Sequence, residues 1–189
     1  LSMPSKFGTV SKALTQKPDA KSANTTLDIF VLSQDINGNL ATASNTLKEN
    51  IKTYLNQYRM IGDSISIKDA FIINFGIEFE IITLPNYNNN KVLERCILEL
   101  QRYFNIDRWQ INQPIIINPL FVLLDEVEGV QTVKKIQFKN LAGVSKGYTQ
   151  YAYDMEGATQ NGTIFPSLDP SIFEIKFPNV DIKGQVVSI

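Results

Sequence analysis

The chain has 189 residues, 43% of them hydrophobic and eleven of them Phe, which suffices for a buried core and is too apolar for a disordered tail. The formal net charge is −1 and the longest basic run is Lys134-Lys135, so there is no general basic field for nucleic acid. With no histidine and a single cysteine, the commonest general base, the commonest transition-metal ligand and any intrachain disulfide are all excluded.

Residues 1–26 are rich in Ser, Thr, Lys, Ala and Asn and lack apolar periodicity, which predicts an extended arm, either disordered alone or ordered only against a partner. The opening LSMPSKFGTV has no hydrophobic segment of the kind a secretory leader uses. LDIFVL at 27–32 reads as a short buried strand, and Asp35-Ile36-Asn37-Gly38-Asn39 as the turn after it. Leu47, Ile51, Tyr54, Leu55 and Tyr58 recur at helical spacing, predicting a helix over 46–60 with Thr46 and Glu49 as a capping box.

From Phe71 to Ile81 every second residue is Phe or Ile, which predicts a strand over 71–83 with one strongly apolar face. Its opposite face carries Asn74, Glu78 and Glu80. PNYNNN at 85–90 is a loop, and Asn90 is the expected cap of a helix through Phe104 whose inner face holds Leu93, Ile97, Leu100 and Phe104. Cys96 falls within that apolar helix and is expected to be buried rather than reactive, and Trp109 is expected to pack from the following connector.

Asn118-Pro119 predicts a helix start, with a short helix to about Val127 closed by Gly129. Val130 to Phe138 reads as a strand with the Lys pair on its solvated side. Residues 139–169 are rich in Gly and Tyr with weak periodicity, the mark of a functional or partner-ordered loop. Residues 171–177 resume as a strand, and 180–189 supply a last edge strand. The predicted class is α+β: a mixed sheet with two main amphipathic helices on one face, a 27–138 core, a 139–169 insertion, and 170–189 completing the core.

No arrangement of residues names a reaction. Glu78 and Glu80 share a strand face, whereas a glycosidase pair flanks a cleft from separate elements. Asp35, Asn37 and Asn39 have D-x-N-x-N spacing, but the glycine is at the fourth position and Thr46 stands where a calcium loop needs Glu, so a turn is the better reading. A phosphate-binding G-x-x-x-x-G-K-[ST] and a G-x-G-x-x-G are both missing from the sequence, and Ser145-Lys146 reads as an ordinary loop pair, with no histidine to activate a serine. No apolar run is long enough for a transmembrane helix. The residues are therefore read as belonging to no enzyme, with no catalytic, cofactor-binding or metal-binding position and no small-molecule substrate. Tyr148, Tyr151 and Tyr153 form the candidate interface, because tyrosine offers much contact area at low entropy cost. The alternatives for them are packing onto their own domain and a sugar- or receptor-binding platform.

Four blocks carry a resemblance: LKENIKTYLNQYRMIGDSISIKDAFIINFGIEFEI (47–81), VLERCILELQRYFNIDRWQINQPI (92–115), DEVEGVQTVKKIQF (125–138) and PSIFEIKFPNVDIKG (170–184). The opening MPSKFGTVSKA (3–13) fits the same pattern. Together they resemble the C-terminal region of baseplate wedge proteins of contractile-tailed, myovirus-type phages, in the wider baseplate J-like family. The resemblance implies a structural virion protein, homodimeric or ring-forming, that docks to other wedge subunits in tail assembly and contraction. It also implies assembly in the host cytoplasm and residence in the tail baseplate. The segment after Phe138 resembles the family least, so the interface reading of its tyrosines rests on their chemistry alone.

Overall fold

A computed structural model describes residues 8–17, 26–58 and 64–188. The rest of the predicted arm (1–7 and 18–25), the expected helix end at Met60 and the last residue of the chain lie outside these. The chain divides into two compact units, residues 1–71 with 168–171, and residues 72–167 with 172–189. The α+β class with mixed parallel and antiparallel sheets is what the chain adopts, but its two main helices are shared between two sheets rather than laid on one.

In the first unit β2 (Thr26–Gln34) is the central strand. Strand β1 (Lys12–Gln16) pairs antiparallel along one edge, with Leu14 opposite Phe30. The opposite edge is divided: β4 (Ser64–Asp69) runs parallel to residues 26–31, and β3 (Leu40–Thr42) runs antiparallel to residues 32–34. The segment read as a partner-ordered arm thus includes a strand that pairs within its own chain. Its polar composition hides this, because strand pairing here rests on main-chain hydrogen bonds.

The parallel step from β2 to β4 needs a crossover, which α1 (Asn45–Leu55) provides. Its Ile51 joins Ile29 and Val31 of β2 in one buried cluster, against which Leu47 and Leu55 of the helix and Ile65 and Ile67 of β4 also pack. The helix is capped by Ser44, whose Oγ accepts from Leu47 N at 3.2 Å, rather than by a Thr46–Glu49 box. Serine two residues upstream captures a free N–H first, and Thr46 becomes an ordinary first-turn residue.

The second unit is built on β5 (Phe71–Thr83), with the bounds that the alternation predicts. Strand β7 (Val130–Asn140) runs antiparallel along it from Phe75 to Thr83, with irregularities at Glu80/Ile81 and Ile82/Thr83. Strand β11 (Ile182–Val186) runs parallel to residues 77–81, and β10 (Ser171–Glu174) also pairs with β5. Helix α2 (Asn89–Tyr103) covers the Phe/Ile face, burying Val92, Cys96 and Leu100. Its cap is Asn88 rather than Asn90, and the buried stripe is rotated so that Leu93 and Ile97 lie at its flank. Phe75 sits at the centre, 5.4 Å edge-on to Phe104 and 6.0 Å from Phe173.

Helix α3 (Asn118–Asp125) follows a two-residue strand β6 (Ile115–Ile116), and Asn118 is its first residue rather than its side-chain cap. Asp125 instead secures the start of β7, accepting from Val133 N at 3.0 Å. Trp109 is buried beside Phe104 as expected, and its indole N–H meets no acceptor among the described residues. Residues 141–169 hold a 3₁₀ turn at Val144–Lys146 and a small hairpin, β8 (Thr159–Gln160) and β9 (Thr163–Ile164), which joins β6. A four-residue helix, α4 (Pro178–Asp181), then leads into β11.

Candidate interaction surface

The even-numbered face of β5 changes character along its length. Ile72, Asn74 and Gly76 are buried, whereas Glu78 and Glu80 reach a solvated face. The difference comes from the Tyr/Gly-rich segment and α4, which cover only the first part. Gly76 permits that cover: a Cβ there would lie 2.8 Å from the main-chain oxygen of Asp181 and 3.2 Å from Leu141.

Asn74 organises the covered part. Its Nδ2 donates to Glu174 Oε2 at 2.8 Å and its Oδ1 accepts from Thr149 N at 2.9 Å. Its main-chain oxygen accepts from Leu141 N (2.9 Å) and Asn140 Nδ2 (3.1 Å). Thr149 Oγ1 donates to Ile72 O at 2.9 Å, and Asn140 Oδ1 accepts from Tyr153 N at 3.0 Å. Asn74 and Glu174 are both buried, where unmet polar groups are costly, so these bonds hold the segment to the sheet.

The three tyrosines are placed differently. Tyr148 donates its hydroxyl to Asp181 Oδ1 at 2.6 Å and lies edge-on to Phe177, with ring centroids 5.5 Å apart. Burial, then the hydrogen bond to Asp181 and its negative charge, push the Tyr148 phenol from the ordinary 10.0 up to about 12. Tyr153 donates to Phe165 O at 2.6 Å and packs edge-on against Phe173, and burial, followed by the charge of Asp154, raises its pKa as well. Tyr151 is the most exposed of the three, at 38%. The structure therefore does not gather three outward hydroxyls into one platform. Other exposed apolar side chains of this region are Val144, Phe165, Phe177 and Val180, and in the first unit Ile36 stands fully exposed. Ile36 tops a turn fastened by Asp35, whose Oδ1 accepts from Asn37 N and Asn39 N at 2.8 and 2.9 Å.

Beyond the cover, Glu78, Glu80, Lys135 and Lys183 line a shallow depression of about 260 Å³. Glu78 pairs with Lys139, and Glu80 accepts from Gln185 Nε2 at 2.9 Å. The carboxylates are matched by cations and amides on both flanking strands, an arrangement that stabilises a solvated sheet face. Among the described residues no group of three His, Cys, Asp or Glu is arranged to hold a metal ion. Among them no helix is long and apolar enough to cross a membrane.

Sequence reasoning missed Asn74, Glu174, Thr149 and Asp181. The available signal was an amide within IINFGI, since a polar side chain in so apolar a strand needs a buried partner.

No protein-family model matches the chain, and no curated protein is similar to it. Its fold is similar to that of a chain in the cryo-EM structure of the anti-feeding prophage (AFP) baseplate, 6-fold symmetrised. The two are 12% identical with a TM-score of 0.51, over 69% of this chain and 30% of that one. At that identity the likeness is one of fold.

Proposed function

We propose that this chain is a structural component of a phage-type tail baseplate, a wedge subunit of the J-like kind. It works by self-association and by docking to other baseplate subunits as the tail assembles and contracts. The observation that carries the reading is the fold shared with a chain of the AFP baseplate structure over 69% of this sequence. The resemblance of residues 47–81, 92–115, 125–138 and 170–184 to wedge proteins supports it independently. In the second unit these blocks supply β5, α2, β7 and β11, the central strand with its covering helix and two flanking strands.

The role is mechanical. The two cores keep their shape, while exposed apolar side chains on turns, loops and the short α4, Ile36, Val144, Tyr151 and Val180 among them, enter neighbouring subunits. On this reading the chain has no catalytic role, needs no cofactor, and resides in the virion tail after assembly in the host cytoplasm. Light scattering behind gel filtration tests it, with the chain alone and mixed with the other wedge subunits. A homodimer or a mixed complex is expected. A monomer under all these conditions would overturn the reading.

A further inference from the structure

We infer that residues 141–153 form a releasable strap, a single element that opens from β5 while the rest of the second unit stays folded. No side chain from Leu141 to Asp154 is buried, and the segment meets the core through half-buried side chains such as Tyr153, edge-on to Phe173. Segments with few buried apolar contacts open at lower free energy than the strands and helices they cover.

The strap has its own internal structure. Gly143 N donates to Thr149 O at 2.8 Å and Tyr148 N to Gly143 O at 3.2 Å, closing a ring around the Val144–Lys146 turn. Lys146 N to Gly143 O and Gly147 N to Val144 O, both 3.0 Å, complete it. The ring is therefore built to move as one piece. Gly143, at φ 125 with no heavy atom within 4 Å of the place where a Cβ would be, supplies a backbone pivot at its start.

Beside the ring contacts of Tyr148 with Phe177 and Tyr153 with Phe173, its polar attachments to the body converge on two carbonyls of β5 beyond the last rung of the β5–β7 ladder. That ladder ends at Phe75 opposite Asn140. Leu141 N then takes Asn74 O, which Asn140 Nδ2 of β7 shares, and Thr149 Oγ1 takes Ile72 O, so the strap caps acceptors past the end of the ladder. The Asn74 side chain holds Thr149 N, and Tyr148 binds Asp181 from the other side. Water can replace each of these partners once the strap lifts, which makes opening reversible. Opening would strip the strap's donors from Ile72 O and leave Asn74 O to Asn140 Nδ2, at a strand edge of the kind that proteins keep covered.

The strap is a property of the free chain and stands or falls separately from the baseplate reading. Hydrogen exchange of the whole protein, read by mass spectrometry, tests it. Peptides covering 141–153 are expected to lose protection together and well before those of α2. Thr149→Val, which removes only the bond to Ile72 O, is expected to speed exchange across the strap about three- to tenfold and leave α2 and β11 unchanged. Asn140→Ala, which releases Tyr153 N, is expected to act in the same way. Strap amides as protected as those of α2, or variants that loosen α2 and the strap equally, would overturn it.

Discussion

The side-chain amide of Asn74 donates to the buried carboxylate of Glu174 at 2.8 Å, joining residues 100 positions apart. A second bond of the same side chain sets which way the amide faces. The main-chain N–H of Thr149, 2.9 Å away, can only donate, so Oδ1 is turned toward it and Nδ2 is left for Glu174. One amide thus connects β10, β5 and the Tyr/Gly-rich segment.

Asn74→Ala takes a hydrogen-bond partner from a buried carboxylate and from a main-chain N–H. Each loss costs about 1–3 kcal/mol, so the variant is expected to lose about 2–6 kcal/mol of stability. Urea denaturation would show a lower midpoint at an unchanged slope. A loss below about 0.5 kcal/mol would mean that the network is dispensable.

Tyr148→Phe is expected to be less stable near neutral pH by about 1–3 kcal/mol, since Asp181 loses a hydroxyl donor. The sign of its pH dependence follows from the raised pKa. The folded chain holds the phenolic proton more tightly than the unfolded chain does. That contribution is complete below the ordinary 10.0 and disappears as pH rises through about 12. Wild type and variant should therefore converge in stability across that window, measured by urea denaturation at successive pH values.

Gly76→Ala would place a methyl group 2.8 Å from Asp181 O, a main-chain atom that cannot swing aside. The expected cost is about 1–3 kcal/mol, with the thermal midpoint lowered accordingly. Gly184→Ala should behave likewise, because its Cβ would collide with the ring of Phe79, itself fully buried.

Cys96 is fully buried in α2, and burial pushes its thiol from 9.0 up to about 11. Little thiolate exists at pH 8, and none is accessible. Alkylation by iodoacetamide is expected to be negligible in the native chain and to proceed at the rate of unfolding in urea. Rapid labelling of the folded chain would contradict the placement of α2.

Much of the local structure is legible in the sequence, and the reason is periodicity. The Phe/Ile alternation sets β5 at Phe71–Thr83, and the helical spacing of Ile51 and Tyr54 places α1. Helix starts are less legible where candidates crowd together. Ser44 and Thr46, or Asn88 and Asn90, satisfy the same chemical requirement, and only the backbone geometry selects one. The division into two units cannot be read from any local pattern, because it depends on pairings such as Ile182 with Ile77 and Ile29 with Ile67. The surface is the least legible part. Three closely spaced tyrosines look alike in sequence, yet two spend their hydroxyls on Asp181 and Phe165 within their own unit.

The most direct test of the assembly role is absolute mass by light scattering behind gel filtration, from micromolar to near-millimolar chain, alone and with the other wedge subunits. The account predicts a homodimer that grows with concentration, or a stable complex with those subunits. The mass of a single chain throughout, with no complex formed, would contradict it.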